Sequence, residues 1–189
     1  MIKLQVCHSS TYANKKTILV VGGSLGAQSI NESIAEHIKE IVDAGYQLIW
    51  QTGKHFIQQA QTIANQYPEQ VKAYDFIYEM DHAYSAADVV ISRAGALAIA
   101  ELCIVGKPVV FVPYPHAAED HQTSNAMALV NNHAGVIVKD AAAKDTLVST
   151  TIALLQNEAK ATAMAIAIKT MAVKDADIRI AKIITDLVK

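Results

Sequence analysis

Glu101 is the sole charge in the apolar run Ala96–Val105. Such a run is expected to be a helix buried on most sides, where an unpaired carboxylate costs roughly several kcal/mol. A carboxylate only accepts hydrogen bonds, and the vicinal hydroxyls of a ribose offer a matched pair of donors. Arg93, a lysine or solvent are the plainer partners. Gly95 lets a ligand come close to the backbone, and Arg93-Ala94-Gly95-Ala96 opens the helix, so its N-terminus suits an anion. Gly22-Gly23-Ser24-Leu25-Gly26 is a second turn of this kind. Its N–H groups and the following helix dipole favour phosphate, unless the glycines only permit a tight path. A dinucleotide fingerprint fits badly, because it needs glycine at Ser24 and an acid where Gln51 and Thr52 stand. The P-loop pattern fails too.

The segment Tyr114–Asn125 (YPHAAEDHQTSN) carries His116, His121, Gln122 and Asn125. The amides of Gln122 and Asn125 both donate and accept, which suits sugar hydroxyls. The two histidines are spaced poorly for one helical face, and no metal site is expected. Phe76, Ile77 and Met80 follow a strand; such residues are usually core, yet at a strand end they can wall a flat ring.

These residues need a frame, and the pattern supplies one. Strands are expected at Thr17–Gly22, Tyr46–Gln51, Val71–Ile77, Asp88–Ser92, Val109–Val112 and Gly135–Val138. Helices are expected at Ala27–Val42, Lys54–Gln66, Met80–Ala87, Ala96–Val105 and His121–Asn131, then Ala143–Leu155, Glu158–Val173 and Asp175–Val188. This alternation means βαβ units: an α/β fold with a Rossmann-like parallel sheet and helices on both faces. Ligands bind beyond the carboxyl ends of such strands, so the turns after strands one, four and five share a rim. One domain is expected over 17–189 with a helical tail, and 1–16 reads as a linker or expression remnant. The tail's apolar positions, Ile178, Ile180, Ile183, Ile184 and Leu187, spread too widely for one narrow seam. The tail is expected to be partly exposed or covered by another copy.

The chain has 189 residues, 52% hydrophobic and 18% charged, with formal net charge −2. That is globular, and without a basic block it argues against a nucleic-acid partner. Cys7 and Cys103 form no disulfide framework, and Cys103 reads as a small core residue. No apolar run is long enough to span a bilayer, and a cytoplasmic setting is the expectation.

Taken together, GGSLGAQSIN, DFIYEM, SRAGALAIAE, GKPVVFVPYPHAAEDHQTSNA and DADIRIAKII resemble, in order, the C-terminal half of the MurG family. These bacterial N-acetylglucosaminyltransferases convert lipid I to lipid II in peptidoglycan synthesis. The resemblance implies the donor domain of a glycosyltransferase-B fold, with UDP-N-acetylglucosamine (UDP-GlcNAc) as donor substrate and no required cofactor or metal. It implies that Gly23, Ser24 and Gly26 approach the donor phosphates and that Phe76, Ile77 and Met80 border the uracil. It implies further that Gly95, Ala96, Leu97, Ala98, Ile99, Ala100 and Glu101 line the nucleotide, with Glu101 on the ribose diol. Gln122 and Asn125 reach the GlcNAc hydroxyls, with His121 at the edge. The family's acceptor site for lipid I, its membrane-facing patch and its general base lie in an N-terminal half, so no catalytic residue is expected here. The complete family members sit on the inner face of the cell membrane. A UDP-GlcNAc 2-epimerase-like enzyme and a non-catalytic nucleotide-binding module are the alternatives. The His-Arg-x-x-Asn-like junction usual in such epimerases is missing at Gly23-Ser24-Leu25-Gly26.

Overall fold

The computed structural model describes residues 15–188. Short runs, rich in Val and Ile in β1, β4, β5 and β6, form strands β1 (Thr17–Val21), β2 (Gln47–Gln51), β3 (Val71–Tyr74), β4 (Val89–Ser92), β5 (Val109–Phe111) and β6 (Val136–Ile137). All neighbouring strands pair in parallel, in the order β3-β2-β1-β4-β5-β6. The helices between them are α1 (Gln28–Glu36), α2 (Ile38–Asp43), α3 (Ile57–Ala64), α4 (Met80–Ala86), α5 (Ala96–Val105) and α6 (His121–Val130). Three more, α7 (Ala143–Gln156), α8 (Glu158–Thr170) and α9 (Ala176–Leu187), follow β6. The parallel α/β frame expected from the alternation is the one found.

Side chains alternate across a strand, and β1 uses this to feed two cores. Ile18 and Val20 pack with Ile30, Ile34, Ile41, Ala60 and Leu147, from α1, α2, α3 and α7. Leu19 joins Ala83, Leu102, Cys103, Leu129 and Ile168, from α4, α5, α6 and α8. β1 is covered on both sides, which explains why residues 18–21 are a continuous apolar run rather than an alternating one.

Three expectations are corrected. The helix over Ala27–Val42 is broken at His37 (ψ 16°), whose Nδ1 lies 2.7 Å from Glu40 Oε1. The α5 helix is not buried on most sides: only Leu102 and Cys103 are buried, while Leu97 is 88% exposed. Among the described residues no element covers its outer side, and composition alone does not separate a helix wrapped in protein from one with an open apolar face. Finally, Lys16 belongs to the domain: its carbonyl accepts from Gln47 N–H at 2.9 Å and its Nζ donates to Leu155 O at 2.8 Å. The rest of the linker assignment, with Cys7 and His8, lies outside the described residues, apart from Lys15.

No residue of α9 is buried, and Ile178, Ile180, Ile183, Ile184 and Leu187 are 57–80% exposed. In a monomer, the α9 amides should exchange with deuterium far faster than those of β1, because few buried contacts oppose local opening. Equal protection of α9 and β1 in a proven monomer would contradict this arrangement.

Candidate functional site: the cleft at the switch point

Strand order reverses direction between β1 and β4, and a ligand crevice is expected at that switch point. There the turns after β1, β4 and β5 meet around a cleft of about 850 Å³, with Gly23, Gly26, Arg93, Gly95, Tyr114 and Gln122 in its lining. Both α1 and α5 begin at this rim. Neither Ala27 nor Gly95, the residues preceding them, supplies a side-chain cap. The first-turn N–H groups of both helices therefore have no intrahelical acceptor and are open to an anion.

Two loop positions at this rim require glycine, by positive φ and by close backbone approach. Gly26 has φ +81°, and a Cβ on it would lie 2.0 Å from the Thr52 carbonyl oxygen. Gly53 has φ +75°, and its Cβ would fall 2.2 Å from the Leu25 carbonyl oxygen. The β1–α1 and β2–α3 loops thus touch backbone to backbone. Gly95 differs: its φ is −67° and a Cβ there meets nothing within 4 Å. Nothing in the fold itself demands glycine at that position.

Gln51 stands where a dinucleotide fold would carry its acid, and it has a structural task. Its Nε2 donates to Gly23 O at 3.2 Å, and its Oε1 accepts from Ile77 N–H at 2.9 Å. One amide thereby fixes the glycine turn relative to the loop after β3. Arg93 ties together the other side. Its Nη1 donates to Asp140 Oδ1, to Val112 O at 3.0 Å and to Pro113 O at 3.2 Å; its Nη2 donates to Ser29 Oγ at 3.1 Å. The guanidinium also lies 5.5 Å from the Tyr114 ring centroid. Arg93 is therefore not the partner of Glu101.

Glu101 is exposed, not buried, and the group that meets it is the Tyr84 hydroxyl, which donates to Oε2 at 3.0 Å. Burial, and then the neighbouring carboxylate, raise the pKa of the Tyr84 phenol far above its usual value, so it remains a proton donor. Gln122 and Asn125 face the cleft turns with part of each amide already engaged. Gln122 Oε1 accepts from Ala94 N–H at 3.2 Å and Tyr114 N–H at 3.0 Å, and Asn125 Nδ2 donates to Ala94 O at 3.2 Å. Among the described residues Gln122 Nε2 and Asn125 Oδ1 have no hydrogen-bond partner. Truncating Gln122 would release both turns as well as any sugar contact, so Gln122→Ala does not isolate one role.

The remaining expected residues divide. Ser24 is exposed on its turn. Ile77 is only 2% exposed and packs in the second core, so it does not wall a ring with its side chain. Phe76, 39% exposed, and the half-buried Met80 present the surface there. Ala96 and Ala100 are exposed, Ala98 and Ile99 half-buried. His121 turns back, its Nδ1 2.6 Å from Ala118 O, and no group of metal-ligating side chains occurs among the described residues. Tyr84, Ser29 and Asp140 were not singled out from the sequence. Each lies far along the chain from the group it contacts, and no local spacing signals such a pairing.

Residues 17–180 match the glycosyltransferase family 28 C-terminal domain. A Porphyromonas gingivalis protein named UDP-N-acetylglucosamine--N-acetylmuramyl-(pentapeptide) pyrophosphoryl-undecaprenol N-acetylglucosamine transferase is 45% identical over 174 residues, 91% of this chain and 46% of that protein. The same-named protein of Phocaeicola vulgatus is 54% identical over 136 residues, 71% of this chain and 36% of its own length. The crystal structure of Acinetobacter baumannii MurG superposes with TM-score 0.80 at 32% identity, over 92% of this chain and 50% of that one. The chain thus spans about half the length of the relatives it matches. With nearly all of its described residues accounted for by that one match, the chain belongs to the glycosyltransferase family 28 C-terminal domain family.

Proposed function

We propose that this chain is the donor-binding half of an inverting glycosyltransferase that moves GlcNAc from UDP-GlcNAc to lipid I, making lipid II. The observation that carries the proposal is the convergence of two uncapped helix N-termini, those of α1 and α5, on one cleft at the switch point. A diphosphate suits that arrangement, and the relatives' names supply the sugar nucleotide and acceptor. The names favour the transferase over an epimerase-like enzyme.

On this reading Gly23, Ser24 and Gly26 and the first turn of α5, from Gly95 to Ala98, approach the phosphates. Glu101 accepts from the ribose hydroxyls, while Phe76 and Met80 border the base. Gln122 Nε2 and Asn125 Oδ1 address the GlcNAc hydroxyls, near His121. The MurNAc 4-hydroxyl of lipid I attacks the anomeric carbon, the bond from that carbon to the diphosphate oxygen breaks, and configuration inverts. Negative charge grows on the departing UDP, where preorganised N–H dipoles stabilise it without a metal. The base that takes the acceptor's proton belongs to the half of the relatives outside this sequence, as does the site for lipid I. The activity is placed at the inner face of the membrane; among the described residues no helix is long and apolar enough to cross it.

Two measurements on the purified chain test this. Calorimetry should show binding of UDP-GlcNAc and UDP. Incubation with lipid I and donor should give no lipid II until the complementary half is added. Absence of UDP binding would overturn the donor role, and robust turnover by the chain alone would overturn the division of labour.

A further inference from the structure

We infer that Tyr84 is a positioning residue for nucleotide recognition: its buried hydroxyl holds the Glu101 carboxylate in the orientation that accepts a ribose diol. The inference rests on the reading of Glu101 given above and adds a residue to it. Tyr84 belongs to α4 and Glu101 to α5. Tyr84 is 6% exposed and packs in the second core with Ala83, Ala87 and Leu102, so its position is set by the fold. Its hydroxyl donates to Glu101 Oε2 at 3.0 Å.

Glu101 has no other hydrogen-bond or ion-pair partner among the described residues. Without Tyr84, an exposed glutamate on a helix surface samples several rotamers, and a ligand must immobilise it on binding. With Tyr84, one oxygen is anchored while its remaining lone pair and the whole of Oε1 stay open as acceptors. The phenol keeps its proton, so the anchor persists across the working pH range. Tyr84 itself is too buried to touch a nucleotide. Its effect must pass through Glu101, and that gives it a signature unlike that of a general structural residue.

The test is calorimetric titration of the chain with UDP and 2′-deoxy-UDP for the parent, Tyr84→Phe, Glu101→Gln and the double variant. Tyr84→Phe keeps the ring and so the packing; near-ultraviolet circular dichroism and thermal melts verify the fold. UDP affinity should fall by about threefold to tenfold in Tyr84→Phe, the cost of ordering one freed side chain on binding. The affinity for 2′-deoxy-UDP should change less, so discrimination between the two ligands narrows. In the Glu101→Gln background, adding Tyr84→Phe should have little further effect. If Glu101→Gln loses discrimination but Tyr84→Phe retains the parental value, Tyr84 positions nothing and the inference fails alone. If Tyr84→Phe weakens both ligands equally, and does so in both backgrounds, its role is general packing and the inference fails. If folded Glu101→Gln binds UDP like the parent, the ribose reading of Glu101 falls, and the inference falls with it.

Discussion

Arg93→Met should cost about 3 kcal/mol of stability, the lower end for a broken buried ion pair. The side chains of Arg93 and Asp140 are 14% and 19% exposed, so the pair is shielded but not sealed. Methionine retains much of the apolar stem and removes every donor. Asp140 then keeps a carboxylate without its cation, and the carbonyls of Val112 and Pro113 lose their shared donor. Ser29 Oγ still donates to Asp140 Oδ1, which softens the loss. For a chain of this size the melting temperature should drop by roughly 6–12 °C. Adding Asp140→Asn should recover part of it, because the stranded charge is gone. UDP affinity should fall as well: the cleft loses a cation and gains an unbalanced carboxylate. A melting temperature within a degree or so of the parent's would mean that Arg93 does not hold these turns together.

Glu101→Gln should weaken UDP binding by about tenfold to a hundredfold, given roughly 1.5–3 kcal/mol for a hydrogen bond to a charged group. The amide keeps the shape but replaces one acceptor oxygen with a donor, which faces a ribose hydroxyl badly. A 2′-deoxy donor should lose most of its affinity to the parent and much less to the variant, whose bond is already missing. Stability should barely move. Glu101 is exposed, and glutamine still offers Tyr84 an oxygen, so the change resembles an ordinary surface substitution of about 0.5 kcal/mol or less. Affinity and stability therefore separate. A large loss of stability with unchanged UDP binding would make Glu101 a structural residue.

The local patterns in the chain sufficed for its architecture. Runs such as residues 18–21 and 89–91 are apolar without alternation because both faces of the strand are covered, and alternation with helical stripes requires parallel crossovers. Parallel pairing then puts the turns after β1, β4 and β5 at one end, so the shared rim followed from residue order alone. The sequence also marked Glu101, Gly95 and the Gly22–Gly26 turn, since a charge inside an apolar run and glycine next to a helix start are visible in one dimension. Tertiary structure decided which groups these residues meet. Arg93 reaches Asp140 across 47 residues, Glu101 meets Tyr84 across 17, and Gln51 spans 28 to Gly23 and 26 to Ile77. Such pairings depend on how whole elements pack, and a side chain's neighbours across a sheet leave no periodic trace in the chain. The exposure of α5 departs from its composition for the same reason. Hydrophobicity is a property of the segment, whereas exposure depends on whether another element lies against it, and over the outer side of α5 none of the described elements does.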